Sequence, residues 1–229
     1  MSSFREFVSI MKRYRRPETV IVVATVVAAL TVCGIWLQRI ESPVHDGVRL
    51  DDLLDSSMPV GFGEAPKAVE ALGPKAFSYL LDVLANEPTP FQRQYGRLYT
   101  NIPTAIRKRL SPPKRIATRK LRAAALIRHA GTNAGSAVPT LLELVKNDGH
   151  WGVRHNALNS LGFLAPNTEF ASAAIELAIA AARDSDPNVR QHGYGVLGHF
   201  TNHANVVVPE LLYGLRDQQT RESCLYALR

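Results

Sequence analysis

The chain has 229 residues, 46% of them hydrophobic and 21% charged, with two cysteines and a net charge of +7. That is room for one modest, helix-rich domain with appendages and one extra apolar segment, and too little cysteine for a disulfide framework. Cys33 lies in an apolar run and Cys224 on a repeat stripe, so no disulfide is predicted.

Residues 1–19 form a basic N-terminus, with Arg5, Lys12, Arg13, Arg15 and Arg16 against the single Glu6. Val20 to Leu37 then runs for 18 residues without a charge. As a helix it would be roughly 27 Å long, close to the hydrocarbon thickness of a bilayer. The segment at 20–38 is therefore read as a transmembrane helix, with Trp36 where an interfacial aromatic would sit. Basic residues before it and Glu41, Asp46, Asp51, Asp52 and Asp55 after it predict a single-pass inner-membrane protein with its N-terminus inside and the rest outside the cytoplasm. A cleaved signal peptide is the competing reading; Val32-Cys33-Gly34 is a weak cleavage site, and the apolar run exceeds a usual signal core. Val32 is too large for a lipoprotein signal before Cys33. Tyr14-Arg15-Arg16-Pro17 lacks the apolar residues expected behind twin arginines.

Residues 39–63 read as a linker, marked by Pro43, Gly47, Pro59, Gly61 and Gly63, with a short helix at Val48 to Leu54. A repeat domain is assigned to 64–229. In it Ala68, Val69, Leu72 and Gly73 match the end of one helix, and Tyr79, Leu80, Leu81 and Leu84 match the start of the next unit. A basic insertion interrupts the pattern at about 88–120. No Asp or Glu occurs between Pro88 and Leu142, where eleven Lys and Arg side chains give +11 and leave the chain outside this stretch and the N-terminus at −8.

Within the insertion, Arg93, Arg97, Arg107, Lys108, Arg109, Lys114, Arg115, Arg119 and Lys120 are the candidate site for an anionic partner. Phe91, Tyr95 and Tyr99 interleave with Arg93 and Arg97, a mixture that stacks bases or grips phosphates. A solvated basic face with the aromatics packed inward accounts for the same residues. Outside the cytoplasm, an acidic protein surface, anionic lipid headgroups or an acidic envelope polymer fits better than nucleic acid; inside it, nucleic acid becomes the alternative. The following helix, RKLRAAALIRHAG, is read as a repeat whose register stays open, its start fitting a shift of 32 and its end one of 31.

From Pro139 to Gly162 the chain reads helix, turn, helix. A shift of 36 carries Asp148, Val153, Arg154, Leu161 and Gly162 onto Asp184, Val189, Arg190, Leu197 and Gly198, and a further 31 carries Arg190, Tyr194 and Leu197 onto Arg221, Leu225 and Leu228. Such periods, with two helices per unit, predict an all-α solenoid of stacked hairpins. Val153, Ala157, Leu158, Leu161 and Leu164 form the apolar stripe of the second helix. Val189, Gly193, Tyr194, Leu197 and Phe200 repeat it, the small Ala157 and Gly193 allowing close approach. Leu141, Leu142 and Val145 mark a first helix, matched by Leu211, Leu212 and Leu215. Asp186 before Pro187 reads as an N-cap, and Gly162 and Gly198 read as left-handed C-caps. The recurring Asp148 with Arg154, Asp184 with Arg190 and Asp217 with Arg221 are read as a structural ladder rather than a ligand site: Asp accepts from helix N-termini, and Arg pairs with an Asp of the adjacent unit.

DSDPNVRQHGYGVLG and the PxLLxxL run before the next copy resemble HEAT repeats, in the short bacterial form seen in phycobilisome-lyase-like proteins. The resemblance extends from about Glu64 to Arg229 and implies an armadillo-like helical scaffold for protein binding; only its name-bearing members imply a lyase. Leu225 and Leu228 are expected to lie uncovered in the last unit. His199 and His203, four apart, are the only metal-like pair, but Asn202 and Asn205 place them in a loop, and no Glu sits between them. No phosphate loop, nucleophile elbow or carboxylate pair is legible. The sequence is read as a non-enzymatic, cofactor-free scaffold that docks a protein partner through its repeats and basic insertion.

Overall fold

The computed structural model describes residues 42–56, 64–86, 99 and 116–229 of the chain. The predicted membrane segment at 20–38 lies outside them, and among the described residues no helix is long and apolar enough to cross a membrane. Ser42–Arg229 forms one compact unit.

It begins with a two-stranded antiparallel hairpin, β1 (Val44–His45) and β2 (Val48–Arg49). Asp46 at φ 49° and Gly47 at φ 78° supply the two left-handed turn residues that so tight a hairpin needs. Helix α1 (Leu50–Asp55) follows, and Leu50 and Leu54 are buried. The stretch read as a linker is thus a folded element over 42–56, because it carries an apolar pair one helical turn apart. Among the described residues, the small hairpin is the one departure from the expected all-α class.

Helices α2 (Glu64–Leu72), α3 (Pro74–Ala85) and α4 (Ile116–Leu126) come next. Three hairpins follow: α5 (Val138–Asn147) with α6 (Trp151–Leu164), α7 (Ala171–Ala182) with α8 (Pro187–Leu197), and α9 (Ala204–Gly214) with α10 (Arg221–Ala227). The second helices pack in the row α4, α6, α8, α10, and the first helices in the row α5, α7, α9. The predicted stripe lies between these rows: Val153, Ala157, Leu158 and Leu161 are buried in α6, and Gly193, Tyr194, Leu197 and Phe200 in and just after α8. A fully buried leucine contributes about 1.5–3 kcal/mol, so a hairpin is held mainly by what it hides against its neighbours.

Two details of the stack follow from small residues. A Cβ on Gly193 would lie 2.3 Å from the Ala182 backbone nitrogen and 2.8 Å from the Ala178 carbonyl oxygen, so α8 presses directly on the backbone of α7. The expectation that Gly162 and Gly198 are left-handed caps is corrected. Gly162 is inside α6, and Gly198, at φ −60° and ψ −17°, is right-handed. Both mark lateral contacts instead, Gly162 facing Val196 and His199, and Gly198 facing Ala227. The N-cap at Asp186 is as expected, its side chain accepting from Asn188 N at 2.8 Å.

Leu142 is buried, but its counterpart Leu212 is 53% exposed. The difference is one of neighbours: α7 packs on α5, whereas no described first helix follows α9. Leu225 and Leu228 are exposed as anticipated, and Tyr226 more so at 76%.

Two glycines of α8, on either side of Tyr194, should respond in opposite senses. Gly193→Ala is expected to lower stability by about 3 kcal/mol or more through overpacking against backbone. Gly195→Ala, whose Cβ meets nothing within 4 Å, should raise it by up to about 1 kcal/mol through helix propensity. Urea denaturation of the two variants measures both.

Candidate functional site

Of the nine basic residues proposed from sequence, Arg93, Arg97, Arg107, Lys108, Arg109, Lys114 and Arg115 lie outside the described residues. The structure places Arg119 and Lys120, and both are turned inward: they are 7% and 4% exposed, respectively. Arg119 pairs with Asp51 and, at 2.7 Å, with Asp55 of α1, and it donates to the Tyr79 hydroxyl of α3 at 2.9 Å. Arg122 donates to the Leu53 carbonyl at 3.0 Å and the Ser56 hydroxyl at 3.1 Å, closing the C-terminus of α1. Lys120 lies 3.5 Å from Asp148 in the turn between α5 and α6. Arg119 and Arg122 form a clasp that fastens 42–56 to α4, and Lys120 ties α4 to the next turn, so these three side chains are engaged within the fold. Asp51 and Asp55, taken from sequence as a membrane-orienting flank, are the counter-charges of this clasp.

The electrostatics of the clasp follow from burial and charge together. Burial alone would lower the Arg119 guanidinium's pKa, but the Asp51 hydrogen bond, Tyr79 and the two carboxylates outweigh it and hold the group above its ordinary value. Tyr79 is pushed up to about 12, first by burial and then by its hydrogen bond to Asp51. Arg122 is lowered by burial, with Asp55 opposing.

The Asp of the Asp and Arg ladder accepts at its helix start as expected, but among the described residues Arg190 alone of the three arginines makes the expected pair with an Asp of the adjacent unit. Asp148, Asp184 and Asp217 each accept from the backbone nitrogen two residues on, at 2.8, 2.8 and 2.9 Å. The arginine that follows each reaches back to a carbonyl of the same turn region: Arg154 to Asp148, Arg190 to Asp184 and Ser185, Arg221 to Leu215. Arg190 also meets Asp217 of the next hairpin at 3.0 Å. Lys120 and Asp148 repeat that contact one stage earlier, which fixes the register of α4 at a shift of 34: Lys120 stands where α6 has Arg154, and Ile127 where it has Leu161.

Three arrangements were not legible in the sequence. The imidazoles of His155 and His192 stack at 3.6 Å between centroids, joining α6 to α8, and a His192 ring nitrogen lies 3.1 Å from the His155 carbonyl. Their offset of 37 is one more than the repeat shift, so no alignment of copies pairs them. Phe163 lies between the Arg128 guanidinium, 4.5 Å from its ring centre, and the His199 ring, 4.3 Å away. Between the second and third hairpins there is an open cleft of about 1020 Å³. Arg183 bridges it to Glu210 at 2.6 Å, and Arg190 to Asp217. Among the described residues, no group of His, Cys, Asp and Glu is arranged to hold a metal ion. His199 and His203 fall after α8, the latter in a 3-10 turn.

Residues 138–229 match the family model of HEAT repeats. That stretch, α5 to α10, is thus similar to HEAT repeats, which generally mediate protein–protein interaction. No curated protein and no solved structure matches the chain.

Two outcomes follow from these contacts. Arg119→Met should lower stability by about 2–3 kcal/mol, because it leaves Asp51 and Tyr79 without their cation, whereas exposed Asp52→Asn should change it by less than about 0.5 kcal/mol; chemical denaturation separates them. Burial, and then His155, lowers His192 to about 4. The unfolded imidazole titrates near 6.5, so the unfolded chain takes a proton that the folded chain refuses. Stability is therefore full above about pH 6.5 and is lost as pH falls towards 4, by about 2 kcal/mol at pH 5 from this residue. His192→Asn, the residue of the preceding repeat at Asn156, should flatten that slope in urea titrations between pH 7 and 5.

Proposed function

We propose that this protein is a non-catalytic scaffold that docks a protein partner on its repeat surface and basic insertion, tethered to a bacterial inner membrane by 20–38. The observation that carries the scaffold reading is the HEAT-like run at 138–229 with large apolar and aromatic side chains left on its surface. Trp151 and Tyr226 are 68% and 76% exposed, and Tyr213 and Leu225 about half exposed. Aromatics of this kind are enriched at interface cores. The tether is supported by the 18 uncharged residues from Val20 and by the basic residues before them. The basic insertion supplies a second, electrostatic element, with Arg107, Lys108 and Arg109 as its densest run.

A photo-crosslinking residue at Tyr226, and another at Arg107, tests the docking in cells. Each is expected to give a discrete adduct with a second polypeptide, and Arg107→Glu, Lys108→Glu and Arg109→Glu together should weaken the Tyr226 adduct. No adduct at either position overturns the scaffold reading. A periplasm-active reporter fused after Arg229 is expected to be active and to fractionate with membranes. An intact but silent membrane fusion would reverse the topology and bring the alternative forward, nucleic-acid binding through the basic 93–122 stretch, with a steep salt dependence as its signature.

A further inference from the structure

We infer that the cleft between α7–α8 and α9–α10 receives an acidic peptide segment, one carboxylate of which is held by Arg216 and the free edge of Arg183. The inference deepens the scaffold reading and rests on it. The cleft's volume of about 1020 Å³ is at the upper end of ligand-sized cavities, about 300–1,000 Å³, and suits a short length of chain. Its base is the buried ring of Tyr194, which lies against Gly214 so closely that a Cβ there would come within 2.6 Å of the ring.

The argument is a count of donors and acceptors. Both carboxylates of the cleft are engaged: Glu210 accepts from Arg183, and Asp217 accepts from Arg190 and from Gln219 N. Arg190 is heavily used as well, four of its five donors going to two turn carbonyls, Asp217 and the Gln219 side chain. The other two cations are not. Arg183 uses one N–H toward Glu210, and its side chain is 60% exposed, although a guanidinium carries five donors. The Arg216 side chain has neither an ion pair nor a hydrogen bond among the described residues; its guanidinium sits 5.7 Å above the ring of Tyr213, itself 59% exposed. The cleft thus has each carboxylate already facing a cation and two cations with donors unused, beside a bare aromatic surface. A carboxylate flanked by an apolar side chain meets both needs.

The surroundings favour a peptide over a polyanion. From 138 to 229 the chain carries seven Lys and Arg against nine Asp and Glu, a net of −2. A phosphate backbone running through the cleft would meet this acidic module on either side, while a short segment with one or two carboxylates reaches only the guanidiniums.

The test selects displayed random dodecapeptides on the full chain and measures recovered peptides by fluorescence anisotropy. Recovered peptides are expected to combine Asp or Glu with an adjacent apolar or aromatic residue. Arg216→Glu should weaken them about tenfold or more, and Tyr213→Ala and Arg183→Gln by less, while Arg216→Lys retains most of the affinity. Thermal melts of each variant establish that the fold is intact; Arg183→Gln and Tyr213→Ala carry the test if Arg216→Glu does not fold. Neutral or basic peptides, or equal affinity for Arg216→Glu, overturn the inference. Acidic peptides that ignore Arg216→Glu but are lost on Tyr226→Ala would remove the cleft and leave the scaffold standing. Failure of both this selection and the Tyr226 crosslink removes both. Labelled single-stranded DNA that binds more tightly than any peptide, and is lost on Arg216→Glu, would replace the peptide with a phosphate backbone.

Discussion

At two junctions of this stack a basic side chain reaches into the following turn, Lys120 to Asp148 and Arg190 to Asp217. Arg190 does this most fully, joining the turn of its own hairpin at Asp184 and Ser185 to Asp217 in the next. The carboxylate it meets is already held by a backbone N–H of that turn, and this bond, more than the guanidinium, keeps Asp217 below the ordinary carboxylate range. The contact therefore orders a turn that would otherwise begin its helix without a fixed direction. Lys120 and Asp148 repeat the arrangement one stage earlier, whereas Arg154 stays within its own turn, so the apolar stripe is what all the junctions share.

Ion pairs also border the cleft. Arg183 and Arg190 span the junction of the second and third hairpins from two directions and hold Glu210 and Asp217 at fixed places around it. A junction closed by apolar side chains would have collapsed to packing density. One propped by ion pairs stays open.

Much of the fold was legible because the stripe from Val153 to Leu164 can be read in one copy and checked in the next. The glycines were not, because one letter serves two physical purposes. Gly162 and Gly198 lie near helix ends, where a left-handed cap and a close lateral contact both exclude a Cβ, and only the backbone angles tell them apart. The register of α4 was hidden by Arg119 and Arg122, which stand where the other copies have Val153 and Asn156. Asp46-Gly47 carried a recognisable turn signal, but two-residue strands are too short to show an alternation. The candidate site suffered most: a charge count treats Arg119 as free, and its partners Asp51 and Asp55 are 68 and 64 residues distant in the chain.

The clasp on α4 also has a mechanical consequence. Ser42 is the point at which the chain enters the compact unit, and a pull from the N-terminal side loads β1 and β2 before any repeat. Two strands of two residues unzip under little force, and the load then passes to α1. There Arg119 and Arg122 grip a helix of only six residues at both its acidic face and its C-terminus. On this geometry a tug would first extend a few residues and then bear on two guanidiniums of α4 before the hairpins that follow it.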